Sequence, residues 1–420
     1  MSGLALVARS LGAQVTGSDR VESSYTERLR EHGIKPVTGH AAANVPSGAE
    51  VVYSTAVPED NPERVAAGGR ELHRADLLAQ IAALRRCVAV TGTHGKTTTA
   101  GMLVQALSGA GLDPGYVIGG ELRATGSNAG WGTGEWIVIE ADESDRSLLK
   151  LAPEIALLTS AELDHHSTYA SALDLEETLR EFMGRAQVAV AWDRPALLRL
   201  CPPGTVPYDA PEPLLSAGGS RFRWRGLEVA LRVPGAHNAV NASGALEAAL
   251  LAGADAASAV AALRDFTGAR RRFEPLGHSR SGAALYDDYA HHPTEVAAAI
   301  AAGRTLVPER LVAVFQPHLY SRTAALASDF GRALAAADIA VVLDVYPARE
   351  RREDFNGVDG RLIATATADA DRGRQVAWLP AFEEARAFLQ ATLRAGDLCL
   401  LMGAGNIDAL GRSLVDAQGR

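Results

Sequence analysis

The chain has 420 residues, too many for one ordinary hydrophobic core, so two or three domains are expected. Apolar content of 47% with 22% charged residues is that of a soluble globular protein, and a net charge of −9 with no Lys/Arg run that stands out argues against a nucleic-acid platform. Cys87, Cys201 and Cys399 are too few and too scattered for a disulfide framework or a zinc site, and no apolar run reaches the roughly 18 residues of a membrane span.

Strand-like apolar runs alternate with helical stretches along the chain, the pattern of α/β layers with mostly parallel sheets. The first block, 1–84, opens with a helix over 3–11 and a strand over 14–17 that ends at Ser18-Asp19. In a dinucleotide-type fold that strand is the second, preceded by a first strand and a glycine loop. Only Met1-Ser2-Gly3 stands before the helix, so the first strand and its loop are expected upstream of this start. A strand over 51–54, the turn Pro58-Glu59-Asp60-Asn61-Pro62 and a helix over 76–84 complete the block. Arg9 and Asp19 interrupt the one candidate leader stretch, so a cytoplasmic protein without membrane insertion is expected.

The second block, 85–271, has a strand over 87–90 that feeds a glycine loop and a helix over 96–107. Strands follow over 136–140 and 155–159, then a loop with short β segments over 203–225 and an Ala-rich helix over 238–251. The third block, 272–420, carries strands over 283–286, 311–315, 339–343 and 398–402 with helices between them, a second α/β sheet.

The loop Thr91-Gly92-Thr93-His94-Gly95-Lys96-Thr97-Thr98-Thr99 lies between a buried strand and a helix. Such a turn aims backbone N–H groups and a helix N-terminus at an anion; Lys96 neutralises outer phosphate oxygens and the Thr97 hydroxyl is a candidate Mg²⁺ ligand. Lysine occurs only at 35, 96 and 150, so its presence inside this loop is informative. The general pattern G-x-x-x-x-G-K-[ST] would need glycine where Val90 stands, so the spacing is the shorter G-x-x-G-K-T and argues against the common GTPases and motor ATPases.

Glu140-Ala141-Asp142-Glu143-Ser144-Asp145 ends one strand and Asp164-His165-His166 follows the next. A carboxylate and an imidazole at neighbouring strand ends could meet on one cation, although Mg²⁺ prefers oxygen, and each group alone reads equally as a solvated turn or a cap. Asp287-Asp288-Tyr289-Ala290-His291-His292-Pro293-Thr294 and Phe315-Gln316-Pro317-His318-Leu319-Tyr320-Ser321-Arg322 also follow strands, where open α/β sheets place their ligands.

Together with His237-Asn238-Ala239-Val240-Asn241 and Arg271-Arg272-Phe273, these runs resemble the Mur ligases over essentially the whole chain, and among them the L-alanine-adding member. The resemblance implies three domains: a Rossmann-like N-terminal domain (1–84, its first strand and Gly loop missing) for the UDP sugar, a P-loop ATPase (85–271) and a Rossmann-like C-terminal domain (272–420) for the amino acid. It implies that ATP, with Mg²⁺, phosphorylates the lactyl carboxylate of UDP-N-acetylmuramate (UDP-MurNAc), and that L-alanine attacks the acyl phosphate. By the same resemblance Lys96, Glu140 and His165 are the catalytic set, and Thr97, Glu140 and His165 hold metal. Gly92, Thr93, His94, Gly95, Lys96, Thr97, Thr98, Asn238, Arg272 and Asp288 bind ATP, and Tyr289, His291 and Arg322 bind the amino-acid substrate. A monomer or weak homodimer is expected. Two departures stand out: Leu319 where many members carry a basic residue, and Ser167 where an Asp is common.

Two alternatives remain at this point. One is the recycling ligase that attaches a murein tripeptide to UDP-MurNAc. The other is a nucleotide-binding protein without catalysis.

Overall fold

The computed structural model describes residues 1–165 and 168–415; His166 and Ser167 lie outside the described residues. The chain divides into two compact units. The first comprises Met1–Ala161, Leu173–Asp209 and Gly244–Ala262, and the second Glu162–Ala172, Ala210–Ser243 and Leu263–Arg420.

The first unit is built on a seven-stranded sheet. Its order is Val206–Tyr208, Val188–Trp192, Ile155–Leu158, Arg86–Thr91, Trp136–Glu140, Gly115–Leu122 and Ser127–Gly130, parallel except for the last hairpin. The central strands are buried on both faces. Val88, Ala89, Val90, Ile137, Val138 and Ile139 have no exposed surface, which is why they read as unbroken apolar runs. Glu140 is the first residue of Trp136–Glu140 to escape complete burial, so the carboxylate comes at the strand's C-terminal end.

The N-terminal segment of the unit holds two separate parallel ribbons, Ser18–Asp19 with Val37–Thr38 and Val51–Tyr53 with Glu71–His73. The strand expected over 14–17 is a correction: the paired residues are Ser18–Asp19 alone. The sequence there, Gln14-Val15-Thr16-Gly17, has the alternation of a strand, but of these residues only Gly17 reaches the partner, its carbonyl accepting from the Val37 N–H at 2.9 Å.

The second unit is built on a six-stranded sheet. Its order is Glu274–His278, Ala284–Asp288, Asp397–Met402, Arg310–Phe315, Ile339–Val342 and Gln375–Trp378, with only the first strand antiparallel. One core layer joins Val296, Ile300, Phe315, Phe330, Leu334 and Ile363; the opposite layer joins Leu285, Val312, Val341, Leu389, Leu401 and Ile407. Helices therefore cover both faces, the doubly wound arrangement. The strand Asp397–Met402 is last in sequence but lies between Ala284–Asp288 and Arg310–Phe315. The order reverses there, and the ends of these three strands form the crevice where such sheets bind ligands. The strands Gln375–Trp378 and Glu274–His278 are absent from the sequence reading; the first is short and only half-buried, and Pro275 and Gly277 disguise the second.

Helices Tyr320–Leu334 and Gly360–Ala370 pass at Gly331, where an added Cβ would stand 2.6 Å from the Ala366 carbonyl carbon and oxygen. Backbone cannot yield as a flexible side chain can. Gly331→Ala should therefore destabilise the protein by about 1–3 kcal/mol, read as a lowered midpoint in denaturant titration. An unchanged midpoint would contradict this close crossing.

Candidate functional site

In the first unit, strand Arg86–Thr91 delivers the chain into the glycine loop and helix Lys96–Gly109 leaves it. Gly92 has φ 124°, and a Cβ there would lie 2.4 Å from Thr159 Oγ1. Gly95 caps the helix at φ 82°, and no side chain caps the helix N-terminus. The first N–H groups of a 14-residue helix are thereby left for an anion. Thr159 Oγ1 donates to the Thr91 and His94 carbonyls, and the His94 N–H donates to Ser160 Oγ, so the loop is braced from the neighbouring strand end.

Lys96 Nζ donates to the carbonyls of Gly92 (2.6 Å) and Thr93 (3.2 Å) and lies 2.8 Å from Glu143 Oε2. Burial alone would lower the Lys96 pKa, but Glu143, Asp142 and Glu140 outweigh it, and the pKa rises. The ammonium is held charged in an enclosed place, as a phosphate counter-charge must be. Thr97 Oγ1 lies 3.0 and 2.9 Å from the two Glu140 oxygens, and the Gly119 N–H donates to Glu140 Oε2 at 2.6 Å. A hydroxyl and a carboxylate side by side at the mouth of a phosphate loop form the hard-oxygen donor set that Mg²⁺ prefers, so these residues fit the ion.

In the second unit, Arg322 and Asp164 are each 2% exposed. Arg322 Nε and Nη2 both donate to Asp164 Oδ1, at 2.8 and 2.7 Å. Nη1 donates to the His318 carbonyl and meets His318 Nδ1, both at 3.1 Å. Since guanidinium only donates, His318 Nδ1 must be the acceptor and carries no proton. Burial, then His291 and Arg322, hold the His318 pKa down at about 3. His291 Nδ1 lies 2.9 Å from the Tyr289 carbonyl, which only accepts, so its proton is on Nδ1 and its Nε2 bears the lone pair, 3.8 Å from Asp164 Oδ2. Burial is the main cause that lowers His291 to about 4. Burial would raise the Asp164 pKa, but Arg322, His165 and His291 together hold it far below the usual carboxylate range. The result is one ion pair flanked by neutral imidazoles.

A second network anchors the loop that enters this sheet. Arg271 donates to Asp287 Oδ2 at 3.1 Å and to the Gly405 and Gly403 carbonyls. Asp288 accepts from the N–H groups of Phe273 and Ala290 at 2.8 and 2.7 Å. Desolvation raises Asp287 to about 7 and Asp288 to about 6. Arg272 reaches Glu295 at 3.5 Å and lies over the Tyr289 ring, 5.2 Å from its centroid.

The family comparisons agree with this arrangement. Residues 271–405 match the family described as Mur ligase, glutamate ligase domain, and residues 1–86 match that described as Mur ligase family, catalytic domain. A UDP-N-acetylmuramate–L-alanine ligase from Acidithiobacillus ferrooxidans is 41% identical over 441 residues, covering 98% of this chain and 94% of the relative. The chain belongs to the Mur ligase family. A crystal structure of the UDP-N-acetylmuramate–alanine ligase MurC from Thermotoga maritima superposes with a TM-score of 0.83 at 27% identity, covering 99% of this chain and 95% of that one. A murein peptide ligase from Psychrobacter arcticus superposes with a TM-score of 0.70 at 22% identity, covering 99% and 95%, and shares the fold.

Within this Mur ligase the residues singled out in the sequence fall into two groups. Gly92, Thr93, His94, Gly95, Lys96, Thr97, Thr98 and Glu140 gather in the first unit. His165, Asn238, Arg272, Asp288, Tyr289, His291 and Arg322 belong to the second. There His165 is joined through its N–H to Asp164 Oδ1 at 2.7 Å, and Tyr289 and His291 meet edge to face at 5.3 Å. Asn238 stands apart from that cluster: its Nδ2 donates to the Pro234 carbonyl and its Oδ1 accepts from Asn241. The sequence reading assigned no role to Glu143, Asp164, Gly119 or His318. Asp164 and Glu143 were visible as neighbours of His165 and Glu140, but nothing local in the sequence reveals the distant partners, 158 residues away for Asp164, that give them their work.

Removing one member of a buried ion pair strands the other, at a cost of about 3–5 kcal/mol. Asp164→Ala should lower the unfolding free energy by that amount in urea titration, and adding Arg322→Met should recover most of it. A loss below about 0.5 kcal/mol in the single variant would show the pair to be unimportant to stability.

Proposed function

We propose that this protein is an ATP-dependent ligase that joins L-alanine to the lactyl carboxylate of UDP-N-acetylmuramate, supplying a peptidoglycan precursor in the cytoplasm. The observation that carries the proposal is correspondence along nearly the whole chain with a relative of that name, 41% identical. The grouping of Lys96, Thr97 and Glu140 at one loop supports it chemically. The domain limits 84/85 and 271/272 fit the way each sheet draws its strands from one segment of sequence.

The reaction has two steps. A lactyl carboxylate oxygen attacks the γ-phosphorus of ATP, ADP departs, and an acyl phosphate forms. The amine of L-alanine then attacks the acyl carbon, the tetrahedral intermediate expels inorganic phosphate, and the nitrogen sheds its proton as the amide forms. Phosphoryl transfer needs positioning and charge neutralisation more than covalent help from side chains. Residues Gly92 to Thr98 are assigned to the phosphates, with the N–H groups at the start of helix Lys96–Gly109 facing the oxygens while Ser160 takes those of Thr93 and His94, and Lys96 exchanges its carbonyl partners for the γ-phosphate. Thr97 and Glu140 are the residues that would hold one Mg²⁺ and His165 is assigned to a second; such ions neutralise phosphate charge when bound. Asn238, Arg272 and Asp288 are assigned to the nucleotide, and Tyr289, His291 and Arg322 to the amino-acid pocket. His291, neutral and with its lone pair on Nε2, adds no positive charge to that pocket.

ADP and phosphate release should require UDP-MurNAc and L-alanine together. Release only with a murein tripeptide would move the assignment to the recycling ligase, and ATP binding without turnover would sink both. Lys96→Ala should cut kcat by about a thousandfold or more at saturating ATP while the circular dichroism spectrum stays native. Wild-type rates in that variant would remove the loop from the mechanism.

A further inference from the structure

An α-amino acid brings a full negative charge into its pocket, and that carboxylate needs a cation with free donors. Arg322 is the obvious choice from sequence, but its donors are largely spent. Of its five N–H groups, four point at Asp164 and His318, and only 2% of the residue is exposed. His318 and His291 are neutral, and Leu319 is an apolar residue at 6% exposure. None of these side chains offers an uncommitted positive charge.

The loop after strand Ile339–Val342 carries such a charge to the same place. Tyr346 N–H donates to the Pro317 carbonyl at 2.8 Å, and Leu319 N–H donates to the Tyr346 carbonyl at 3.0 Å. The Tyr346 ring stacks on His318, centroids 5.8 Å apart and planes within 12°. Four residues on, Glu350 accepts from the Ser321 N–H at 3.0 Å and from Ser321 Oγ at 2.5 Å. The loop is therefore fastened at both ends to the turn that presents His318 and Arg322, and the segment between the fasteners holds Arg349. Arg349 is exposed, and among the described residues no carboxylate pairs with it. Its charge is felt at the site, being one of those that depress the His318 pKa. Arg351 lies beyond the Glu350 fastener, and Arg352 leans on Asp344 at 3.7 Å.

We propose that Arg349 is the residue that pairs with the α-carboxylate of the incoming amino acid, while Arg322 acts as a positioning residue through Asp164 and His318. The assignment rests on the amino-acid pocket proposed above. Arg349 is free where Arg322 is committed, and it sits on a loop that the site itself holds in place.

The test is steady-state ADP release by the full chain, with Arg349→Ala, Arg349→Lys and Arg351→Ala, against L-alanine and its methyl ester. Arg349→Ala should raise the KM for L-alanine about tenfold or more. KM for ATP and UDP-MurNAc should stay within about twofold, Arg349→Lys should recover part of the loss, and the preference for L-alanine over the ester should shrink by the same factor. The assignment is overturned if KM for L-alanine is unchanged, if acid and ester suffer equally, or if Arg351→Ala does the same damage. If the wild-type protein accepts only amines without a free α-carboxylate, the amino-acid pocket and Arg349 fall together. If it uses L-alanine normally and Arg349→Ala does too, only Arg349 falls.

Discussion

A charge withdrawn from water must be answered by another charge or by enough dipoles, and in each unit one cation shows this constraint clearly. In the second unit the cation is Arg322, which converges with Asp164, His318 and His291 because none of the four could be buried comfortably without the rest. The guanidinium forces His318 to turn an unprotonated nitrogen toward it, and burial together with the guanidinium's charge keeps His291 neutral against the pull of Glu295 and Asp164. The segment Glu162–Ala172 is held in this unit by the same bond. Turn geometry and protonation state are thus tied to one ion pair.

The first unit solves the same problem with the opposite intent. Lys96 is enclosed, but its neighbours are backbone carbonyls and one carboxylate, partners that a triphosphate can replace at little cost. The acidic residues at the end of Trp136–Glu140 keep the ammonium charged, and the glycines keep side chains out of the space in front of it. Arg322 is locked and Lys96 is lent. On the function proposed above, the difference suits a residue that shapes a pocket on one side and a residue that changes partners during turnover on the other.

Much of this was legible in the sequence because the chemistry sits where the elements end. Apolar runs such as Trp136–Glu140 and Arg310–Phe315 announce buried parallel strands, and the polar clusters after them mark the ligand side of each sheet. The glycine turn between Arg86–Thr91 and Lys96–Gly109 was readable in the sequence, because its glycines act through local backbone geometry. What stayed hidden depends on distance along the chain. Nothing near Asp164 foretells Arg322, nothing near Glu350 foretells Ser321, and the turn at Leu319, with φ 70°, breaks the habits of a bulky residue for the sake of its neighbours. Short strands failed for another reason: Ser18–Asp19 pairs over two residues only, too few for any period to show.

Gly119 shows what such an arrangement asks of a residue with no functional group. Its N–H holds Glu140, and the absence of a side chain lets the carboxylate come so near that a methyl group would lie 2.7 Å from Oε1. Any side chain at 119 would push on the carboxylate, and through it on the Thr97 hydroxyl. On the function proposed above, position 119 would respond to substitution as part of the nucleotide site, although it has no acid, base or ligand to lose.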